Sequence, residues 1–275
     1  WRTFPAPKWT GQNNWPKHFS LSHCKHLDTS YRALPEEFYF SSQLPVVTPD
    51  NFEDWLHPMG EFRLDFQERM SGSGRLSHRG LGQQMIIGFP VDYRYGWDMA
   101  EAKHQDKLMR LRQQRGIEVT LWAPTCTPWS IASRHKESTT LQAERDAQHP
   151  TLSWMVKDIR HAASISQQSV IENPHNSDIW DKSALSDVAK HLSVKTHILD
   201  QCSYGSTNEI GEPIRKRTRL DSTFQMRSCT RHCRCRVPHG QLVGSGADGI
   251  KRTAKAAVYP KTMCDSIIKD IFRLL

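Results

Sequence analysis

From residue 60 onward, short apolar runs alternate with amphipathic stretches of helical length. Residues 63–70 read as a strand that ends in Ser71-Gly72-Ser73-Gly74, with a helix over 75–83. Met85–Val91 reads as a second strand, ending at Asp92. Residues 98–115 are dense in strong helix formers, with Asp98 placed to cap them and Gly116 to stop them. Ile117–Trp122 is the next expected strand, followed by a helix over 139–167 and a strand at Ser169–Ile171. Ser177 opens a helix reaching 191, Val194–Leu199 is a strand, and 261–273 is a final helix. Strands separated by helix-length segments predict an α/β fold, with a mostly parallel sheet, helices on both faces and right-handed crossovers. On this pattern residues 60–204 form the core, 205–245 a short basic insert bearing Cys and His, and 246–275 a segment that closes the core.

Residues 1–59 follow no such period. Trp1, Trp9, Trp15 and Trp55 are scattered among polar residues with seven prolines, which interrupt both helix and sheet hydrogen bonding. This segment is expected to be an irregular arm wrapped on a neighbour. The chain opens on Trp1, as a piece of a longer polypeptide would.

Composition narrows the function. The 275 residues carry 37 Lys and Arg against 29 Asp and Glu, a net charge of +8, and this excess favours a polyanionic partner. No apolar run approaches the roughly 18 residues of a spanning helix, so a membrane protein is not expected. Seven unevenly spaced cysteines do not suit a secreted disulfide scaffold. An intracellular, reducing setting is expected, with particular cysteines acting as nucleophile or metal ligand.

In a parallel α/β sheet, functional residues gather at the carboxyl ends of the strands. Those positions hold Ser71–Gly74, Asp92, Pro124–Ser130, Glu172–Pro174 and Asp200–Cys202. Gly72 and Gly74 let backbone pass close to a ligand, and an acid about 20 residues further on, here Asp92, can bind ribose hydroxyls. A dinucleotide and S-adenosylmethionine both fit these features. Cys126 sits in a turn stiffened by Pro124 and Pro128, which would hold a thiol at a fixed place above the sheet. Glu172 brings a carboxyl group to the same rim, where it can hydrogen-bond a heterocycle. Separately, Cys229, His232, Cys233, Cys235 and His239 cluster among arginines. Cys229, Cys233, Cys235 and His239 are candidate ligands for a structural zinc.

The stretch from Glu68 to Pro260 resembles a cytosine-5 methyltransferase. Glu68-Arg69-Met70-Ser71-Gly72-Ser73-Gly74 resembles the family's cofactor motif Asp-Leu-Phe-x-Gly-x-Gly, and Pro124–Ser130 resembles Pro-Pro-Cys-Gln-x-Phe-Ser with Cys126 as nucleophile. Glu172-Asn173-Pro174 resembles Glu-Asn-Val, and Gly211–Thr218 echoes Gly-Val-Pro-Gln-x-Arg-x-Arg. Ala256-Ala257-Val258-Tyr259-Pro260 resembles the closing Gly-Asn-Ala-Val-Pro segment. The chain departs from these patterns at Arg69, Thr125, Thr127, Thr218 and Ala256. It looks most like the divergent versions in mobile-element polyproteins.

The resemblance implies a Rossmann-like S-adenosylmethionine-dependent methyltransferase fold and a monomeric catalytic core. It implies methyl transfer to the five-position carbon of cytosine, in DNA rather than RNA. Cys126 and Glu172 would be catalytic, and Ser71, Gly72, Ser73, Gly74 and Asp92 would bind the cofactor. Ser130, Arg215, Lys216, Arg217 and Arg219 would contact nucleic acid. Two other readings stay open: a decayed methyltransferase fold that binds nucleic acid without methylating it, and an unrelated nucleotide-cofactor enzyme, which Ser77 at the third fingerprint-glycine position disfavours.

Overall fold

A computed structural model describes residues 47–56, 63–83, 85–246 and 249–275. Most of the expected arm, including Trp1, Trp9 and Trp15, lies outside the described residues. Residues 47–56 of it do not. A short helix α1 (Phe52–Leu56) buries Phe52, Trp55 and Leu56 against the body of the chain, and Trp97 Nε1–H donates to the Val47 carbonyl (2.7 Å).

The remaining elements are β1 (Leu64–Arg69), α2 (Arg75–Leu81), α3 (Ala102–Arg115), β2 (Ile117–Trp122), α4 (Ser138–Ser164) and β3 (Gln168–Pro174). Then come α5 (Ile179–Lys182), α6 (Ser186–His191), β4 (Lys195–Asp200), β5 (Arg217–Ser222), α7 (Arg252–Lys255) and α8 (Lys261–Phe272). They form an α/β fold around one five-stranded mixed sheet of order β1-β2-β3-β5-β4. The first three strands are parallel, and β5 runs antiparallel to both β3 and β4. Strands β1 to β4 therefore all point one way and present their carboxyl ends on one rim.

Side chains alternate between two cores, as a sheet covered on both faces requires. Trp122 and Ile171 pack with Leu111 of α3 and Met155 and Ile159 of α4. Val119, Leu121, Val170 and Leu220 pack on the other face with Leu76 of α2 and Met263, Ile267 and Ile271 of α8.

Four expectations are corrected. Met85–Val91 does run parallel to β1, but through isolated bridges at Ile87 and Val91 rather than as a strand. Pro90 has no N–H to give a ladder, and Gly88 is pressed so close that an added Cβ would stand 3.1 Å from Leu64 Cδ1. Helix α3 begins at Ala102, because Asp98 accepts the Ala100 N–H (2.8 Å) in a local turn instead of capping the helix. The helix expected over 177–191 is two short ones broken at Ser183, whose hydroxyl bonds the Ile179 carbonyl (2.5 Å). The segment expected as a basic insert supplies β5 to the middle of the sheet, with Thr218, Leu220 and Ser222 buried and Arg217 and Arg219 paired to Asp200 and Asp221.

Arg69, a charge in a largely buried strand at the end of the sheet, has a physical answer. Its guanidinium and that of Arg112 both bond Asp158 of α4, all three being fully buried. Arg112 contacts both oxygens of Asp158 (3.0 and 2.8 Å), and Arg69 also lies over the rings of Trp122 and Trp154. Burial alone would raise the Asp158 pKa, but the two arginines outweigh it and hold the carboxyl below its ordinary value.

Removing the shared acid leaves two buried cations facing each other. Asp158→Asn is expected to cost about 3–5 kcal/mol in a urea melt. Arg69→Met should cost less, since Arg112 still pairs Asp158. Equal costs for the two variants would contradict a shared carboxylate.

Candidate functional site

The rim is built from four strand ends. After β1 the chain turns through Met70, Gly72 and Gly74, all at positive φ (56°, 54° and 68°), so the loop needs its glycines for backbone conformation. The Gly72 N–H donates to Asp92 Oδ2 (2.9 Å), and Asp92 Oδ1 accepts the Arg94 N–H (3.1 Å). Asp92 is thus an inward brace of the glycine loop, 3% exposed, and its pKa is raised by burial despite these bonds. Ser71 Oγ is buried and has no hydrogen-bond partner among the described residues. Such an atom suits a polar ligand group at this loop.

Glu68, one residue before the end of β1, receives both the Ser77 N–H (3.0 Å) and its hydroxyl (2.9 Å) and so caps α2 from beneath. Burial, offset in part by Ser77 and reinforced by Asp92, raises its pKa to about 8.

After β2, residues 123–130 form the turn that carries Cys126. The half-buried Cys126 precedes a single 3-10 turn, Thr127–Trp129. Three neighbours hold this turn by its carbonyls. Asn173 Nδ2 donates to Pro124 O (2.7 Å), Arg145 Nε to Pro128 O (3.0 Å) and Asp178 N–H to Trp129 O (2.7 Å). Arg145 also lies over the Trp129 ring and pairs with Asp178.

Glu172 and Asn173 belong to β3 itself, and since Trp122 pairs with Ile171, both lie beside the start of the Cys126 turn. Glu172 is 5% exposed, and its Oε1 has no hydrogen-bond partner among the described residues. Burial raises the Glu172 pKa, while Lys216 and a hydrogen bond with the Tyr259 side chain oppose the rise. The strap 256–260 thus returns to the rim: Tyr259 meets Glu172 through its side chain and accepts Arg75 of α2 at its carbonyl, and Lys216 Nζ donates to the Ala256 carbonyl (3.3 Å).

The expected site residues fall into three groups. Cys126, Glu172 and the Ser71–Gly74 loop stand on successive strand ends of one rim, with Asp92 bracing that loop from behind. Among the expected nucleic-acid contacts, Ser130 bonds Thr127 O (3.2 Å) and Ser133, and Lys216 faces the strap. Arg215 and Arg217 both pair with Asp200, and Arg219 pairs with Asp221 and stacks over Trp180. The third group, the zinc ligands, is corrected. Cys229 is fully buried in the apolar core and takes no part, whereas Cys202 after β4 lies with Cys233, Cys235 and His239, and these four could hold a metal ion.

Sequence reasoning missed Tyr259 and Asn173 as working parts, although both sat inside quoted motifs, and it missed Cys202, whose signal was its place after a strand end. Neither a protein-family model nor a curated protein sequence matches the chain. Among the described residues, no helix is long and apolar enough to cross a membrane.

Glu68 generates a pH prediction. A carboxyl whose pKa rises on folding from 4.5 to about 8 stabilises the fold fully below pH 4.5 and loses that contribution as pH rises through 8. Glu68→Gln should remove this slope, worth at most about 1.4 kcal/mol per pH unit. Denaturant melts of both proteins from pH 5 to 9 check it, and parallel curves would contradict a protonated Glu68.

Proposed function

We propose that this chain is an S-adenosylmethionine-dependent methyltransferase acting on the five-position carbon of cytosine in DNA, with a Rossmann-like core. One observation carries the reading. A half-buried thiol and a buried carboxyl group occupy adjacent strand ends, joined by the Asn173–Pro124 hydrogen bond, with a positive-φ glycine loop one strand away. The motif resemblance runs through those same positions in the same order.

The rim residues fit the cofactor in two respects. The Ser71 hydroxyl is a buried polar group with bonding capacity to spare, and the glycine loop leads into the start of α2. Ser71, Gly72, Ser73 and Gly74 would hold the cofactor, with Asp92 fixing the loop. When bound, it supplies an electrophilic methyl group.

The chain's own residues supply the rest. The Cys126 thiolate adds to the six-position carbon of the base, forming a C–S bond and moving the ring's electron pair toward the five-position carbon. The electron pair at that carbon would form the new bond to the methyl group as the methyl's bond to the cofactor sulfur breaks, its electrons staying on sulfur as a neutral thioether. Loss of its proton to a base, with expulsion of the Cys126 thiolate, restores the aromatic ring and the nucleophile. Glu172, protonated more readily than an ordinary carboxyl group, can donate to the ring nitrogen and accept from the exocyclic amine. Tyr259 and Lys216 orient that carboxyl group. A target inside a duplex must leave the stack, at a cost of a few kcal/mol. The chain's net positive charge favours holding the displaced strand.

A covalent trap tests this reading. With S-adenosylmethionine and an oligonucleotide containing 5-fluorocytosine, which cannot lose a proton at that carbon, the protein should form a stable adduct that Cys126→Ser abolishes. Glu172→Gln should slow adduct formation by about 10²-fold, the scale of a lost general acid. Oligonucleotide binding with no adduct would replace this reading with a non-methylating binding module.

A further inference from the structure

The segment from Thr223 to Lys251 joins β5 to α7 with neither helix nor strand among its described residues. Loops that long without regular structure are uncommon in a compact domain, and a fixed path requires some other restraint. Part of it is hydrogen bonding to the turn after β4. Cys233 N–H donates to Asp200 Oδ2 (2.9 Å), Ser203 Oγ to the His232 carbonyl (2.7 Å) and Tyr204 Oη to the Ser228 carbonyl (3.2 Å). Asp200 is itself fixed by Arg217, whose Nε and Nη2 stand 2.9 and 3.1 Å from its two oxygens.

These bonds bring three sulfurs and an imidazole together. The ligand atoms of Cys202, Cys233, Cys235 and His239 all lie within 4.8 Å of one another. Cys233 Sγ is 3.3 Å from His239 Nε2 and accepts the Cys235 N–H at 3.4 Å.

We infer that Cys202, Cys233, Cys235 and His239 bind one zinc ion as a closed structural site. Zinc takes thiolate at about 2.3 Å and imidazole at about 2.0–2.1 Å in a tetrahedron, which sets ligand atoms about 3.5–3.8 Å apart. Small side-chain rotations close the observed spacing to that geometry. Soft sulfur donors favour zinc over magnesium or calcium. Four protein ligands leave no open coordination position, so the ion is structural rather than catalytic. Three thiolates and Zn²⁺ sum to −1, and Arg215 and Arg217, converging on Asp200 beside the cluster, offset that charge. The Cys235 N–H bond to Cys233 Sγ and the Asp200 bond to the Cys233 amide orient the ligands from outside. The ion would staple the long segment to the end of β4, and this does not depend on methyl transfer.

The test uses the intact chain, expressed with zinc and purified under reducing conditions. Metal analysis should find one zinc per chain. Cobalt replacing it should give thiolate charge-transfer absorption and the intense ligand-field bands of a tetrahedral site. Iodoacetamide with peptide mapping should find Cys202, Cys233 and Cys235 protected until a chelator is added. Cys202→Ser and His239→Ala should lower zinc content, while Cys229→Ser should keep it. Metal-free protein that takes up no cobalt, an octahedral cobalt spectrum, or a disulfide from Cys202 to Cys233 or Cys235 in the reduced chain would each overturn the assignment. Cobalt uptake and alkylation are read on the unsubstituted protein, so a variant that fails to fold leaves the test intact.

Discussion

Two arginines share one carboxylate in the middle of this protein, and that arrangement sets where the rim begins. Arg69 ends β1, Arg112 lies on α3 and Asp158 on α4, so the cluster joins the sheet to both helices of one face. A group of two positive charges and one negative charge is tolerable in a core only with further partners. Gln167 and Thr120 bond Arg112, Gln67 bonds Arg69, and two indole rings face Arg69. The next residue, Met70, takes a left-handed backbone conformation, and the glycine loop follows. Its starting point is therefore fixed by bonds that reach α3 and α4.

The acids of the rim obey the opposite rule. Glu68, Asp92 and Glu172 are each buried with no buried cation bonded to them among the described residues, and burial raises the pKa of all three. Asp200 is equally enclosed, yet two half-exposed arginines hold its pKa below the ordinary value. The same residue type thus plays two parts: acids paired with arginine serve as joints, and acids set against backbone N–H or hydroxyl groups retain protons more readily. Glu172, with Oε1 lacking a partner among the described residues, is the member of the second set with bonding capacity to spare.

How much of this was legible depended on range. The Ser71–Gly74 turn, the Cys126 turn and Glu172 were readable because local signals mark strand ends, and Gly116 does end α3 at positive φ. β5 was not recognised, although Thr218, Leu220 and Ser222 alternate with charged neighbours as a strand should. Its arginines read as nucleic-acid contacts in a basic insert because their partners, Asp200 and Asp221, become partners only through the sheet. Arg69 looked like an intrusion for the same reason, its acid lying far away on α4. Cys202 was hidden by sequence distance, since Cys229 is nearer to Cys233 in the chain but points into the apolar core.

The pairing of β5 also bears on how nucleic acid would be held. Arg217 and Arg219 are engaged with acids of the fold, and Lys216 with the strap beside Glu172. A guanidinium that already binds a carboxylate has fewer donors left for phosphate, and leaving that carboxylate would expose a buried acid. These side chains are better suited to fixing the rim than to gripping a backbone. In the proposed function the charge excess would then act through cations elsewhere, and Arg227, Arg234 and Arg236 lie in the segment threaded past the Cys/His cluster. A fixed path for that segment would hold its positive charge in one arrangement, which would join the sulfur cluster to the proposed nucleic-acid contacts by way of the chain between them.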